Sequence, residues 1–102
     1  MPTPRRVHKI SPIVVNGIKI VQVVIDSHYE KRHGDHITDA LILRLVHKLD
    51  GRYEVPEVRS SGYSYFVTVI ELGEKSYRLI WLLEDNAVYI GVVNAFRTGR
   101  RK

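Results

Sequence analysis

The densest concentration of reactive side chains is the run Ser27-His28-Tyr29-Glu30-Lys31-Arg32-His33-Gly34-Asp35-His36. Three of the five histidines fall within it. Imidazoles titrate near neutral pH, so one can take a proton while another gives one. Lys31 and Arg32 beside them offer cations for a phosphate. These residue types meet the needs of RNA cleavage without a metal: a base for the 2′-hydroxyl, a cation for the five-coordinate phosphorus and an acid for the leaving oxygen. If the preceding strand persists, His28, Glu30 and Arg32 share one face and Tyr29, Lys31 and His33 the other. A solvated connection between strand and helix has the same composition, and that reading stays open. Ser27 and His28 do not read as nucleophile and base. Strand neighbours face opposite ways, and no Gly-x-Ser-x-Gly turn occurs.

Arg78 is the next candidate, because it interrupts an apolar segment between Tyr77 and Leu79. A strand either turns such an arginine to solvent or uses it. Arg97 follows Phe96 and opens a basic ending that includes Arg100 and Arg101. The histidines of the run, with Glu30, Asp35 and Asp39, are too loosely spaced for a dedicated metal site. No HExxH or EF-hand pattern occurs, so no metal and no cofactor is expected. His8 and His47 stand alone. Tyr63, Tyr65 and Phe66 are expected to pack a helix or pair across strands rather than stack on bases.

The elements that would position these groups can be read from periodicity and turn signals. Residues 10–15 and 18–25 are rich in β-branched residues and flank Asn16-Gly17, the strongest short hairpin signal. Pro12 makes the first strand short or an edge strand. Gly34-Asp35 opens a helix, with Asp35 as N-cap and Asp39 in the first turns. Ile37, Leu41, Leu45 and Leu49, with Ile42 and Val46, carry it over about 35–49, ending at Gly51. Residues 52–62 are a connection. From 63 onward three strands alternate, turning at Gly73-Glu74 and at Glu84-Asp85-Asn86. Tyr63, Tyr65, Val67 and Val69 share one side, against Phe66, Thr68 and Ile70. In the next strand Tyr77, Leu79, Trp81 and Leu83 oppose Arg78, Ile80 and Leu82. The expected class is α+β: an N-terminal hairpin, one main helix and a three-stranded antiparallel meander in one sheet packed by the helix.

The chain has 102 residues, which suits one domain. The expected division is a flexible basic arm at 1–9, a single domain at 10–97 and a basic tail at 98–102. The absence of cysteine excludes disulfides, thiolate catalysis and cysteine metal sites. No apolar run reaches transmembrane length. The basic start is broken by Lys9, Pro12, Asn16 and Lys19, so it does not read as a signal peptide. A cytoplasmic location with no membrane partner is expected. The formal charge of +5 is unevenly placed. All 11 acids fall between Asp26 and Asp85, leaving Arg5, Arg6, Lys9 and Lys19 at one end and Arg97 to Lys102 at the other. Basic ends attract polyanions by phosphate contact and counterion release.

The run from Ser76-Tyr77-Arg78 through Trp81, the acidic turn Glu84-Asp85-Asn86, the apolar Val88 to Phe96 and the basic Arg97 resembles the C-terminal half of RelE/ParE-superfamily toxins. The resemblance covers mainly residues 76–97. It implies a small α+β fold and, in RelE-like members, an mRNA-cleaving ribonuclease held in check by an antitoxin. It matches Arg78 to the strand arginine that contacts the scissile phosphate and Arg97 to a basic position ending the last strand. The chain departs from that family in opening with strands rather than helices and in lacking lysines over 63–72.

The function expected on these grounds is a RelE-like toxin of a toxin–antitoxin pair, acting on mRNA as a metal-independent endoribonuclease. His28 and His33 would serve as base and acid, and Arg78 would hold the phosphate. Lys31, Arg32, Arg97, Arg100 and Arg101 would bind the RNA backbone. The implied partners are RNA, including ribosome-bound mRNA, a cognate antitoxin and a second copy of the chain. The alternatives are a non-catalytic nucleic-acid- or protein-binding domain and a structural domain with no site.

Overall fold

Asn16 and Gly17 both adopt left-handed backbone, at φ 53° and 76°, as a two-residue hairpin turn requires. They join β1 (Arg5–Val15) to β2 (Ile18–Asp26). The computed structural model describes residues 5–26 and 37–98. The two strands pair from Arg5↔Asp26 to Lys9↔Gln22 and again from Ile13↔Ile20 to Val15↔Ile18. The register shifts between Lys9 and Ile13, where Pro12 has no N–H to give the ladder. Residues 5–9, expected within an irregular arm, thus belong to the sheet. A distant contact helps hold them there. Arg6 donates from Nε and Nη2 to the Asp39 carboxylate at 2.6 and 2.8 Å, and His8 Nε2 lies 2.9 Å from the same group.

Helix α1 (Asp39–His47) is shorter than the spacing of apolar residues predicts. Thr38, not Asp35, is its N-cap, with its hydroxyl accepting from the Leu41 N–H at 3.1 Å. At the other end, Lys48, Leu49 and Asp50 bond back three residues instead of four, which tightens the chain out of the α-helix. Gly51, at φ 84°, completes the turn and donates to Val14 O. Nine residues make a marginal helix alone. Ile42, Leu45 and Val46 are fully buried against the sheet, at roughly 1.5–3 kcal/mol each. Tertiary burial therefore sustains it.

The connection after Gly51 returns to clamp the hairpin turn. Asn16 Nδ2 donates to Glu54 O, and Glu54 N donates to Asn16 Oδ1. The connection also contains a short strand, β3 (Val58–Ser60). Ser61 and Gly62, both at positive φ, turn it into β4 (Tyr63–Leu72), followed by β5 (Lys75–Glu84) and β6 (Tyr89–Arg97).

All six strands form one sheet in the order β1-β2-β6-β5-β4-β3. Every neighbouring pair is antiparallel except β2 and β6, which run parallel from Gln22↔Tyr89 to Ile25↔Val92. The expected α+β class, with its 35–49 helix and three-stranded meander, is therefore overturned. The fold is a six-stranded mixed sheet with one short helix, 11% helix and 62% strand among the described residues. The physical reason is long-range pairing. The chain leaves β2, crosses over through α1 and the other strands, and brings β6 back beside β2, welding hairpin to meander. The core lies between α1 and one sheet face, where Ile20, Val23, Ile25, Ile70, Leu79, Ile90 and Val92 are buried. Phe66 and Trp81 stack there as a cross-strand pair, 4.1 Å between centroids at 11°.

Candidate functional site

Side chains alternate across a strand, so the register that buries one face also defines the other. The opposite face gathers Arg5, Val7 and Lys9 from β1 with Gln22, Val24 and Asp26 from β2. It continues through Tyr89, Gly91 and Phe96 on β6 to Arg78, Ile80 and Leu82 on β5 and Tyr63, Tyr65, Val67 and Val69 on β4. Among the described residues no helix lies on this face. Val67 and Val69 are 41% and 50% exposed, unusual for valines in a fully paired strand. A face with this much apolar and aromatic surface fits an interaction surface.

Arg78 sits on this face, between Val69 and Phe96 in the register. It is exposed, and its guanidinium carbon stands 6.0 Å from the centroid of the Phe96 ring, within the range of a cation–π contact. Arg97 pairs with Tyr77, so it shares the helix-side face and points away from Arg78. The structure does not bring these two arginines together on one face. His28, Lys31, Arg32, His33, Arg100 and Arg101 lie outside the described residues. β2 nevertheless ends at Asp26, one residue past the Ile25↔Val92 pair and on the same face as Arg78. The two histidines that do fall among the described residues have partners. His8 contacts Asp39 with Arg6, and His47 Nδ1 lies 2.9 Å from Leu43 O. Among the described residues no group of three His, Asp or Glu side chains could hold a metal ion, and no helix is long and apolar enough to cross a membrane.

A pocket of about 440 Å³ opens in this face. Tyr63, Tyr65 and Tyr89 line it, with Leu82 and Gly91 as a cross-strand pair between them and Arg5 and Asp26 at the β1–β2 side. The Tyr63 and Tyr65 rings stand 6.3 Å apart, tilted by 38°. Gly91 makes room: a Cβ there would meet Leu82 Cγ and Cδ1 at 2.9 Å. Val93, at the irregularity in the β5–β6 register, adds another wall. The Tyr89 hydroxyl donates to Glu84 Oε1 at 2.7 Å. Burial, the Glu84 hydrogen bond and the Glu84 charge push the phenol up to about 12, so near neutral pH it is a donor and not a base.

The expectation for the three aromatic residues of β4 divides between the two sheet faces, with Tyr63 and Tyr65 pairing across strands to Glu84 and Leu82. Phe66 does pack against the core, but Tyr63 and Tyr65 face away from α1 and line the pocket. Their placement was legible in the alternation that sets Tyr63 and Tyr65 opposite Phe66. What carried no local signal was that Tyr89, Arg5 and Asp26 would converge on them. Aromatic rings and guanidinium groups on a sheet face can stack bases and hold phosphates. No family model matches the chain, and no curated protein or solved structure matches it either.

Proposed function

We propose that this protein is a metal-independent endoribonuclease of the RelE-like toxin kind, with single-stranded RNA laid across the sheet face opposite α1. The observation that carries the reading is that this face brings an exposed Arg78 together with Phe96, Tyr63, Tyr65 and Tyr89. Aromatic platforms hold unpaired bases at about 1–3 kcal/mol each. Arg78 is the cation for the scissile phosphate and stabilises the charge that builds as the 2′-oxygen attacks phosphorus. His28 and His33, which follow β2, would take the 2′-hydroxyl proton and return one to the departing 5′-oxygen, leaving a 2′,3′-cyclic phosphate. Lys31, Arg32 and the basic ending would hold the backbone electrostatically. The reading carries with it a protein antitoxin as partner and a cytoplasmic setting.

The test is cleavage of a mixed RNA pool, free and on translating ribosomes, in excess chelator, by the wild type and by Arg78→Ala. The wild type is expected to leave cyclic-phosphate ends, and Arg78→Ala to be slower by about 10²–10³-fold. An exposed cation–π contact is worth only about 0.5–1 kcal/mol, so the variant keeps its fold. Equal cleavage by both proteins, or cleavage by neither, overturns the assignment. Binding without cleavage leaves the non-catalytic RNA-binding domain as the function.

A further inference from the structure

The two edges of the sheet are guarded differently. At one edge, β1 carries Arg5, Arg6 and Lys9, then Pro12 and a register shift between Lys9 and Ile13. Charge, proline and bulges are the devices that keep an edge strand from recruiting another chain. At the other edge, β3 pairs with β4 only from Tyr63 to Tyr65. The Tyr65 carbonyl also accepts from the Glu57 N–H at 2.7 Å. Past that point no strand among the described residues pairs with the outer side of β4. The open stretch, Phe66 to Leu72, holds no proline, lysine or arginine. We propose that it is a dimer interface, in which two copies of this chain join β4 to β4 antiparallel about Val69 and make one continuous sheet. The pairing stands independently of the RNA reading.

Register selects a second copy as the occupant. Alternate residues of a strand turn their backbone N–H and C=O to the same side. Tyr65 turns its carbonyl outward, so Val67, Val69 and Glu71 turn theirs outward too. The open stretch from Phe66 to Leu72 is symmetric about Val69. A twofold axis there sets Val69 against the partner's Val69, and Val67 against the partner's Glu71. Each facing pair exchanges two hydrogen bonds, about six in all. Sliding the partner two residues one way runs it into Glu57, which already holds Tyr65. Sliding it the other way sets Val67 against the partner's turn at Gly73, where φ is 66°. A match centred on one residue is the mark of an isologous twofold contact. The side chains agree with it. Val67 and Val69 are 41% and 50% exposed in the single chain, and the pairing takes part of that apolar surface from water. Glu71 is the one charged residue of the stretch, and it faces a valine rather than a second carboxylate. The axis stands perpendicular to the sheet, so both α1 helices lie on one side and both Arg78 side chains on the other. Arg78 is the β5 neighbour of Val69, which sets the two arginines' strands three spacings, or ~14 Å, apart on one face. The contact is small, in the class of weak, exchanging complexes below about 1,200 Å².

The test is sedimentation of the full chain from about 1 µM to about 1 mM, a range that spans weak association. The wild type is expected to pass from monomer to dimer. Val69→Lys, checked for folding by thermal melting, sets two ammonium groups against each other on the axis. Its dissociation constant should rise by about tenfold or more. A second measurement reads the register. The chain has no cysteine, so Val69→Cys and Val7→Cys each introduce a single thiol at an exposed valine, one on β4 and one on β1. A short bismaleimide should join Val69→Cys chains into covalent dimers and leave Val7→Cys chains single. A wild type that stays monomeric across the range overturns the proposal. So does a dimer that Val69→Lys leaves as tight as before, and so does cross-linking through Val7→Cys that equals or exceeds that through Val69→Cys.

Discussion

Thr68→Val removes one oxygen from the middle of the sheet and replaces it with a methyl of nearly the same shape. Thr68 Oγ1 accepts from the Trp81 indole N–H at 3.0 Å and donates to Glu54 Oε1 at 3.0 Å. Trp81 is wholly buried and Thr68 is 5% exposed, so water cannot replace the lost acceptor. A buried donor left without a partner costs about 1–3 kcal/mol. The Glu54 side of the bond costs less, because that side chain keeps 25% of its surface in contact with water. A total near 2 kcal/mol follows, and it should lower the melting temperature of a chain this size by roughly 8–16 °C. The assay is thermal and urea unfolding followed by circular dichroism, run as a double-mutant cycle with Trp81→Phe. Once the indole N–H is gone, Thr68→Val should cost about 1–2 kcal/mol less. The effect bears on the site, because Trp81 anchors the back of β5 while Ile80 and Leu82 face the pocket side. A loss under about 0.5 kcal/mol, or strict additivity in the cycle, would refute the reasoning.

Tyr89 should make the protein lose stability in alkali. Its folded phenol titrates at about 12 against 10.0 unfolded, chiefly through burial and then through Glu84. The folded state therefore holds a proton that the unfolded state has lost between those values. The contribution is complete below pH 10 and declines as pH rises toward 12. Urea unfolding across this window should show the decline in the wild type and its loss in Tyr89→Phe; identical slopes would count against the assignment. Asp39→Asn should destabilise by about 1–2 kcal/mol, because it weakens the acceptor for Arg6 and His8 where α1 meets β1. Partial exposure of these groups keeps the figure modest, and a change below about 0.3 kcal/mol in urea unfolding would show that the cluster does not hold β1.

What could be read directly from the residues is whatever a short stretch of chain decides for itself. The Asn16-Gly17 turn forms because both positions tolerate positive φ. The two-sided pattern of Tyr63 to Leu72 and Lys75 to Glu84 follows from the two-residue period of a strand, which by itself sets Arg78 and Tyr65 on the face opposite Trp81 and Phe66. The extent of α1 is not legible in the apolar spacing, which continues past both ends; Thr38 and the three-residue bonds at Lys48 to Asp50 set its limits. The short β3 hides within the 52–62 connection, because its three residues carry no periodicity of their own.

The tertiary structure alone decided the rest, through pairings between residues far apart in the chain. Residues 5–9 became strand by pairing with Gln22 to Asp26, with Arg6 and His8 held by Asp39. The parallel match of β2 with β6 joined the hairpin to the meander and turned two small sheets into one. That junction also created the pocket. Arg5 and Asp26 come from one end of the chain and Tyr63, Tyr65, Leu82 and Gly91 from the other, so no local pattern records their meeting. Loop closure between such distant segments is favourable only when the whole face is buried at once.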